Sequence, residues 1–317
     1  MTLAPRAFTA FCMALAATAV SAQGTAYVSS EKDDALTMID TQTLTVKGTV
    51  PTCKRGRHIQ RLPDGKLMVA CTDSNAADVI DPTTGKSVRR VPLGDEPEAF
   101  DISPDGKTIY VSNEDEAETS FVDAATGKVL NSIKVGQEPE GVKVSADGRT
   151  LYVTSEVASM VHVIDVASAK VVKNVKVGKR PRRIAITPDG KELWVTNELG
   201  SSVSIVSTAD HSVIGEIKFA VKGARAEDIS PVGITMTKDG KRAFVALGKA
   251  NHVPGRKVTD LVLVGKRAWN VTLDKAEQRL WVVNGLSDDV TVIDVTGARA
   301  VKSIPVGRVP YGVVIVE

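Results

Sequence analysis

Thr108-Ile109-Tyr110-Val111-Ser112 is a β-branched and aromatic run that follows the tight turn Pro104-Asp105-Gly106-Lys107, and its core, Tyr110-Val111-Ser112, returns along the chain. The other copies are Tyr27-Val28-Ser29, Met68-Val69-Ala70, Tyr152-Val153-Thr154, Trp194-Val195-Thr196, Phe244-Val245-Ala246 and Trp281-Val282-Val283. Their valines stand at 28, 69, 111, 153, 195, 245 and 282, so the steps are 41, 42, 42, 42, 50 and 37 residues. A near-constant period in this range marks one supersecondary unit repeated side by side.

Inside a unit the hydrophobic period is two. Phe100 and Ile102 alternate with Ala99 and Asp101 before the turn. Ser120-Phe121-Val122-Asp123 alternates after the central strand, Ala125-Thr126-Gly127-Lys128 turns again, and Val129 to Val135 supplies a fourth strand. Asp-Gly recurs at 64–65, 147–148, 189–190 and 239–240, where a positive φ is needed. Four short antiparallel strands repeated seven times predict an all-β chain, a seven-bladed β-propeller of four-stranded antiparallel blades. The closing run Pro310-Tyr311-Gly312-Val313-Val314-Ile315-Val316 matches an innermost strand with nothing after it, whereas the first copy begins at a second strand. Residues 311–316 should therefore pair with 26–29 and remove the free edge. Blade six reads as truncated: the step of 37 loses a third strand where His252-Val253-Pro254-Gly255-Arg256-Lys257 stands, and the step of 50 before it is an insertion from Ala220 to Ser230.

Arg6 precedes an apolar, Ala-rich run, and Val20-Ser21-Ala22 places small residues where a signal peptidase reads them. The chain therefore divides into a signal peptide, 1–22, and one propeller domain, 23–317, exported to the periplasm. No later stretch approaches the roughly 18 apolar residues a membrane span needs. Lys+Arg 40 against Asp+Glu 38 leaves +2, which gives no global field for nucleic acid.

The Tyr-Val-Ser/Thr strand, the Ser/Thr-x-Asp-Gly-Lys turn and the Val-Gly-x-x-Pro entry resemble the YVTN family of β-propellers. Gln137-Glu138-Pro139-Glu140-Gly141, Arg180-Pro181-Arg182-Arg183, Pro231-Val232-Gly233, Asn284-Gly285-Leu286-Ser287-Asp288-Asp289-Val290 and Pro305-Val306-Gly307-Arg308 resemble its periplasmic subgroup associated with PQQ-dependent catabolism. The resemblance implies a non-catalytic binding or scaffold protein beside quinoprotein alcohol oxidation or ABC transport, without established catalytic residues. Its partners would be periplasmic proteins of those systems.

Loops entering the inner strands of a propeller surround one mouth of the axial channel, and function gathers on such loops. Just after the entry position the blades offer Arg57, Glu98, Glu140, Arg182, Val232, Trp269 and Tyr311, a charged arc and an apolar one. Arg183, Arg55, Arg180, Arg267, Glu138, Glu114, Glu156 and Glu198 add charge nearby. Guanidinium groups beside Trp269 and Tyr311 suit a planar anion, with PQQ or a quinone-like compound as candidate ligand. The carboxylates suggest the alternative of a hydrolase or lactonase; a cell-surface structural repeat protein is the third reading. Cys53 and Cys71 should reach the same face and bridge in an oxidising compartment. No Cys-x-x-Cys-His, Gly-x-Ser-x-Gly or Walker motif is present, and the four histidines lie in different blades, so neither a catalytic residue nor a metal site is expected.

Overall fold

The repeated strand is buried on both faces: Tyr110, Val111 and Ser112 are all 2% exposed or less. A strand packed on both sides and paired along both edges needs β-branched and aromatic residues throughout, which is what the run supplies. In blade three it is Thr108–Asn113, paired antiparallel with the inner strand Pro97–Ile102 and with Glu118–Asp123, whose outer neighbour is Val129–Lys134. The computed structural model describes residues 24–249, 252–254 and 260–317. The expected signal peptide lies outside the described residues. No described helix is long and apolar enough to cross a membrane.

Hydrogen bonding joins the described strands into seven four-stranded sheets. The first contains Pro310–Val316, Thr25–Ser30, Ala35–Asp40 and Thr45–Pro51 in that order, so the last strand pairs with the first, Val313 opposite Val28 and Val314 opposite Tyr27. The seven inner strands contact one another in succession, and Pro310–Val316 touches both Ala268–Leu273 and Gly56–Arg61.

The reading of blade six as truncated, without its third strand, is corrected by the sheet order. Six blades are regular, and the irregular one, blade six, keeps four strands: Pro231–Met236, Ala243–Leu247, His252–Pro254 and Leu261–Leu263. The third pairs with the second only at Leu247 and His252, yet pairs with the fourth over three residues. A second strand without an outer neighbour would leave its N–H and C=O groups open, and even three residues cover part of that edge. The insertion before it forms a short 3-10 turn, Ala226–Asp228, and buries Phe219 and Ile229 beside Trp194.

In every blade but the second, where Met68 stands, an aromatic residue precedes the valine and packs against the next blade. Tyr110 clusters with Val142, Leu151 and Val153 of blade four; Trp281 clusters with Val28, Ile39 and Val313 of blade one. The hydroxyl after the valine crosses the same boundary. Ser29, Ser112, Thr154 and Thr196 donate to the carbonyls of Arg57, Glu140, Arg182 and Val232 at 2.6, 2.8, 2.8 and 2.7 Å. The motif that reveals the fold is thus also the joint between blades.

Candidate functional site

Each inner strand starts from a residue in the left-handed region: Arg55, Glu96, Glu138, Arg180, Ser230, Arg267 and Val309 all have φ between 42° and 60°. None is glycine, and most precede proline, so the turn is strained at the same place in every blade. A register shift follows immediately, between Gly56 and Ile59, Pro97 and Ala99, Pro139 and Val142, Pro181 and Ile184, and at the equivalent points elsewhere. Such bulges re-aim side chains at sheet ends. Together they build two layers at the mouth, the left-handed residues outside and the residues two positions later inside. Gly141 is needed for this closeness, because a Cβ there would come within 2.2 Å of the Arg182 carbonyl oxygen.

The structure brings Arg57, Glu98, Glu140, Arg182, Arg183, Trp269 and Tyr311 into one network. Arg57 donates to Glu98. Arg182 lies between Glu140, at 3.3 Å, and Glu156, to which it also donates. Arg183 is 3.2 Å from Glu140 and donates to Tyr311, whose hydroxyl is 3.2 Å from the same carboxylate. The guanidinium groups of Arg57 and Arg183 stand over the Tyr311 ring, 4.5 and 5.5 Å from its centre. Trp269 lies 5.9 Å from Tyr311 and takes Arg267 at 4.2 Å and Arg182 at 5.6 Å over its own ring. The expected arcs therefore interlock, with the cations of one on the aromatic faces of the other.

An outer layer completes the site. Arg180 reaches Glu156 at 2.5 Å, Glu198 at 3.1 Å and Glu138 at 3.8 Å, and is 39% exposed. Arg55 is 3.3 Å from Glu31, 3.3 Å from Asp73 and 3.6 Å from Glu96. Glu31 was not singled out in the sequence. Its place directly after the second strand of blade one matches Glu114, Glu156 and Glu198, a register signal that would have found it. The disulfide between Cys53 and Cys71, Cα atoms 5.6 Å apart, ties the loop carrying Arg55 and Arg57 to the strand below. Closing a loop of that size contributes about 3 kcal/mol by restricting the unfolded chain.

Burial and charge divide the carboxyl groups. Burial pushes Glu140 up, but Arg182, Arg183 and Arg57 outweigh it and hold the group below the usual carboxylate range. Glu156 goes the other way: burial raises it to about 8 against the pull of Arg182. Burial, then Glu140, raises Glu98 well above its ordinary value. Burial likewise lifts the Tyr311 hydroxyl to about 12, so it stays protonated. One site thus holds a protonated and an ionised carboxyl a few ångströms apart, the arrangement acid–base chemistry uses. Carboxylate oxygens of Glu96, Glu98 and Glu114 also lie within 4.8 Å of one another, a set that could hold a metal ion.

Beneath the network the channel opens. A cavity of about 590 Å³ is lined by residues of six inner strands, among them Gln60, Asp101, Lys143 and Thr235, and runs from Arg183 to Pro188 and Lys238 beside the Asp-Gly turns. Asp101 accepts from Gln60 and Lys143 there, at 3.1 and 3.0 Å. His58 packs edge-on against Phe100 at 4.8 Å, a packing role.

The fold is that of a β-propeller. The YNCE-like beta-propeller family matches residues 93–186. The chain is similar in structure to a chain of the hydrazine synthase of Kuenenia stuttgartiensis, 24% identical with a TM-score of 0.75, over 85% of this chain and 92% of that one. It is also similar to the periplasmic gluconolactonase of Pseudomonas aeruginosa, 17% identical with a TM-score of 0.76, over 93% and 99%. A protein of Desulfotomaculum acetoxidans described as functionally unknown is 16% identical with a TM-score of 0.77, over 92% and 98%. At such identities the likeness is one of fold. No curated protein matches the chain.

Proposed function

We propose that the mouth is the active site of an exported, periplasmic hydrolase that opens the ring ester of a polyhydroxy acid. The observation that carries this reading is the clamp of Glu140 and Glu156 on the buried guanidinium of Arg182, with the half-exposed Arg180 covering Glu156 from the solvent side. Opening a lactone requires water to add to the acyl carbon while the bond to the ring oxygen breaks. The oxyanion formed on the way needs cationic donors, and the departing alkoxide needs a proton. Glu156, neutral near pH 7, gives its proton to the ring oxygen, which leaves as an alcohol. The proton released by the attacking water returns to the Glu156 carboxylate, and the new carboxylic acid loses its own proton to solvent. Arg180 and Arg267 face the developing oxyanion, and Trp269, half-buried at the rim, holds the Arg267 guanidinium against its ring. The fold shared with a periplasmic gluconolactonase supports the substrate class.

The test follows ring opening of glucono-δ-lactone and smaller sugar lactones by pH-stat against the spontaneous rate. Catalysis should fall at least 100-fold in Glu156→Gln with the fold intact by circular dichroism. Because the active form is protonated, the wild-type rate should fall as pH rises through about 8. Absence of any rate above the spontaneous one sinks the enzyme. It would leave the binding role beside a quinoprotein oxidation system that the PQQ-associated motifs imply.

A further inference from the structure

Glu96, Glu98 and Glu114 come from one blade but from three different backbone settings. They are the left-handed entry residue, the bulged strand residue and the residue just after the second strand. Their carboxylate oxygens lie within 4.8 Å of one another. Two oxygens on one calcium ion at about 2.4 Å each can be at most about 4.8 Å apart, and every pair in the cluster meets that limit. Glu98 is 1% exposed. One of its oxygens takes the Arg57 hydrogen bond, and the other, Oε2, is buried and receives no hydrogen bond. Its neighbours Glu114 and Glu140 are themselves carboxylates. A buried acceptor left without a donor beside two further carboxylates is costly, and a cation answers both deficits at once.

We propose that Glu96, Glu98 and Glu114 bind a hard divalent cation, calcium being the best match, in the wall of the channel mouth. The donor set is oxygen only, without histidine or thiolate, which selects calcium, magnesium or manganese over zinc and copper. Water would complete the shell, since Glu96 and Glu114 are only half-buried. Arg55 at 3.6 Å from Glu96 Oε1 and Arg57 on Glu98 Oε1 limit the charge the ion must neutralise. The inference stands whether or not the mouth hydrolyses an ester.

The experiment is calorimetric titration of the chelator-treated mature protein with calcium chloride near pH 7. One saturable site is expected, with a calcium-dependent rise in melting temperature. Glu114→Gln and Glu96→Gln, both at half-exposed positions, should each weaken binding at least tenfold while keeping the fold, and Glu98→Gln should do the same if it folds. Lack of saturable heat with millimolar calcium, magnesium or manganese overturns the proposal. So does binding that is unchanged in both Glu96→Gln and Glu114→Gln.

Discussion

The two arcs of the mouth are built on one backbone and held by different physics. From blade two to blade five the inner positions are Arg57, Glu98, Glu140 and Arg182, all less than a tenth exposed and secured by charge pairing. From blade six through blade seven to blade one they are Val232, Trp269 and Tyr311, secured by packing and by ring faces offered to the other arc. The lesson is that neither arc is self-sufficient. Buried charges survive because Tyr311 and Trp269 lend them faces and a hydroxyl, and those rings are kept from water by the guanidinium groups above them.

The most damaging break is at the seam where the arcs meet. Removing residues 309–317 deletes the inner strand of blade one, with buried Tyr311 and Val313, and unpairs Thr25–Ser30. The loss should be several kcal/mol, on the order of the whole stability of a domain, and the truncated chain should show no cooperative melting transition. A truncated chain that melts like the intact one would mean that the ring does not depend on this closure.

A cut inside the charged arc should cost less. Arg182→Ala leaves Glu140 and Glu156 buried without their shared cation, which should lower the unfolding free energy by about 3–5 kcal/mol in urea titration. The equivalent truncation in the apolar arc, Val232→Ala, should cost about 2 kcal/mol, the burial of a few methyl groups. Equal losses would erase the distinction between the arcs. The smallest effect lies in the joint beneath them: Thr154→Ala removes one interblade hydrogen bond and should cost about 1 kcal/mol. Blades two and six already carry alanine there, Ala70 and Ala246, so a loss of several kcal/mol would show that the charged arc leans on its joints more heavily.

Much of this was legible in the sequence, because a strand's period and a turn's glycine are local. Tyr110-Val111-Ser112 and its copies set the unit, the Asp-Gly pairs set its turns, and the unpaired strand at each end set the closure. Counting two residues from each entry turn placed Arg57, Glu98, Glu140, Arg182, Val232, Trp269 and Tyr311 at one level. Blade six was misread because a shortened interval looks like a missing strand, whereas the hydrogen-bonding need of the neighbouring edge recruits whatever chain is at hand.

What only the tertiary structure decided is who meets whom across the axis. Arg183 reaches a tyrosine 128 positions away, and Arg182 chooses a glutamate from its neighbour's inner strand and another from the loop beyond that neighbour's second strand. The left-handed entry residues and the bulges after them turn evenly spaced side chains into two concentric layers, and no hydrophobic period encodes that turn. The physical reason is range. Strand and turn preferences act within a few residues, whereas ion pairing and desolvation depend on distances across a closed ring, which exist only once its last strand has met its first.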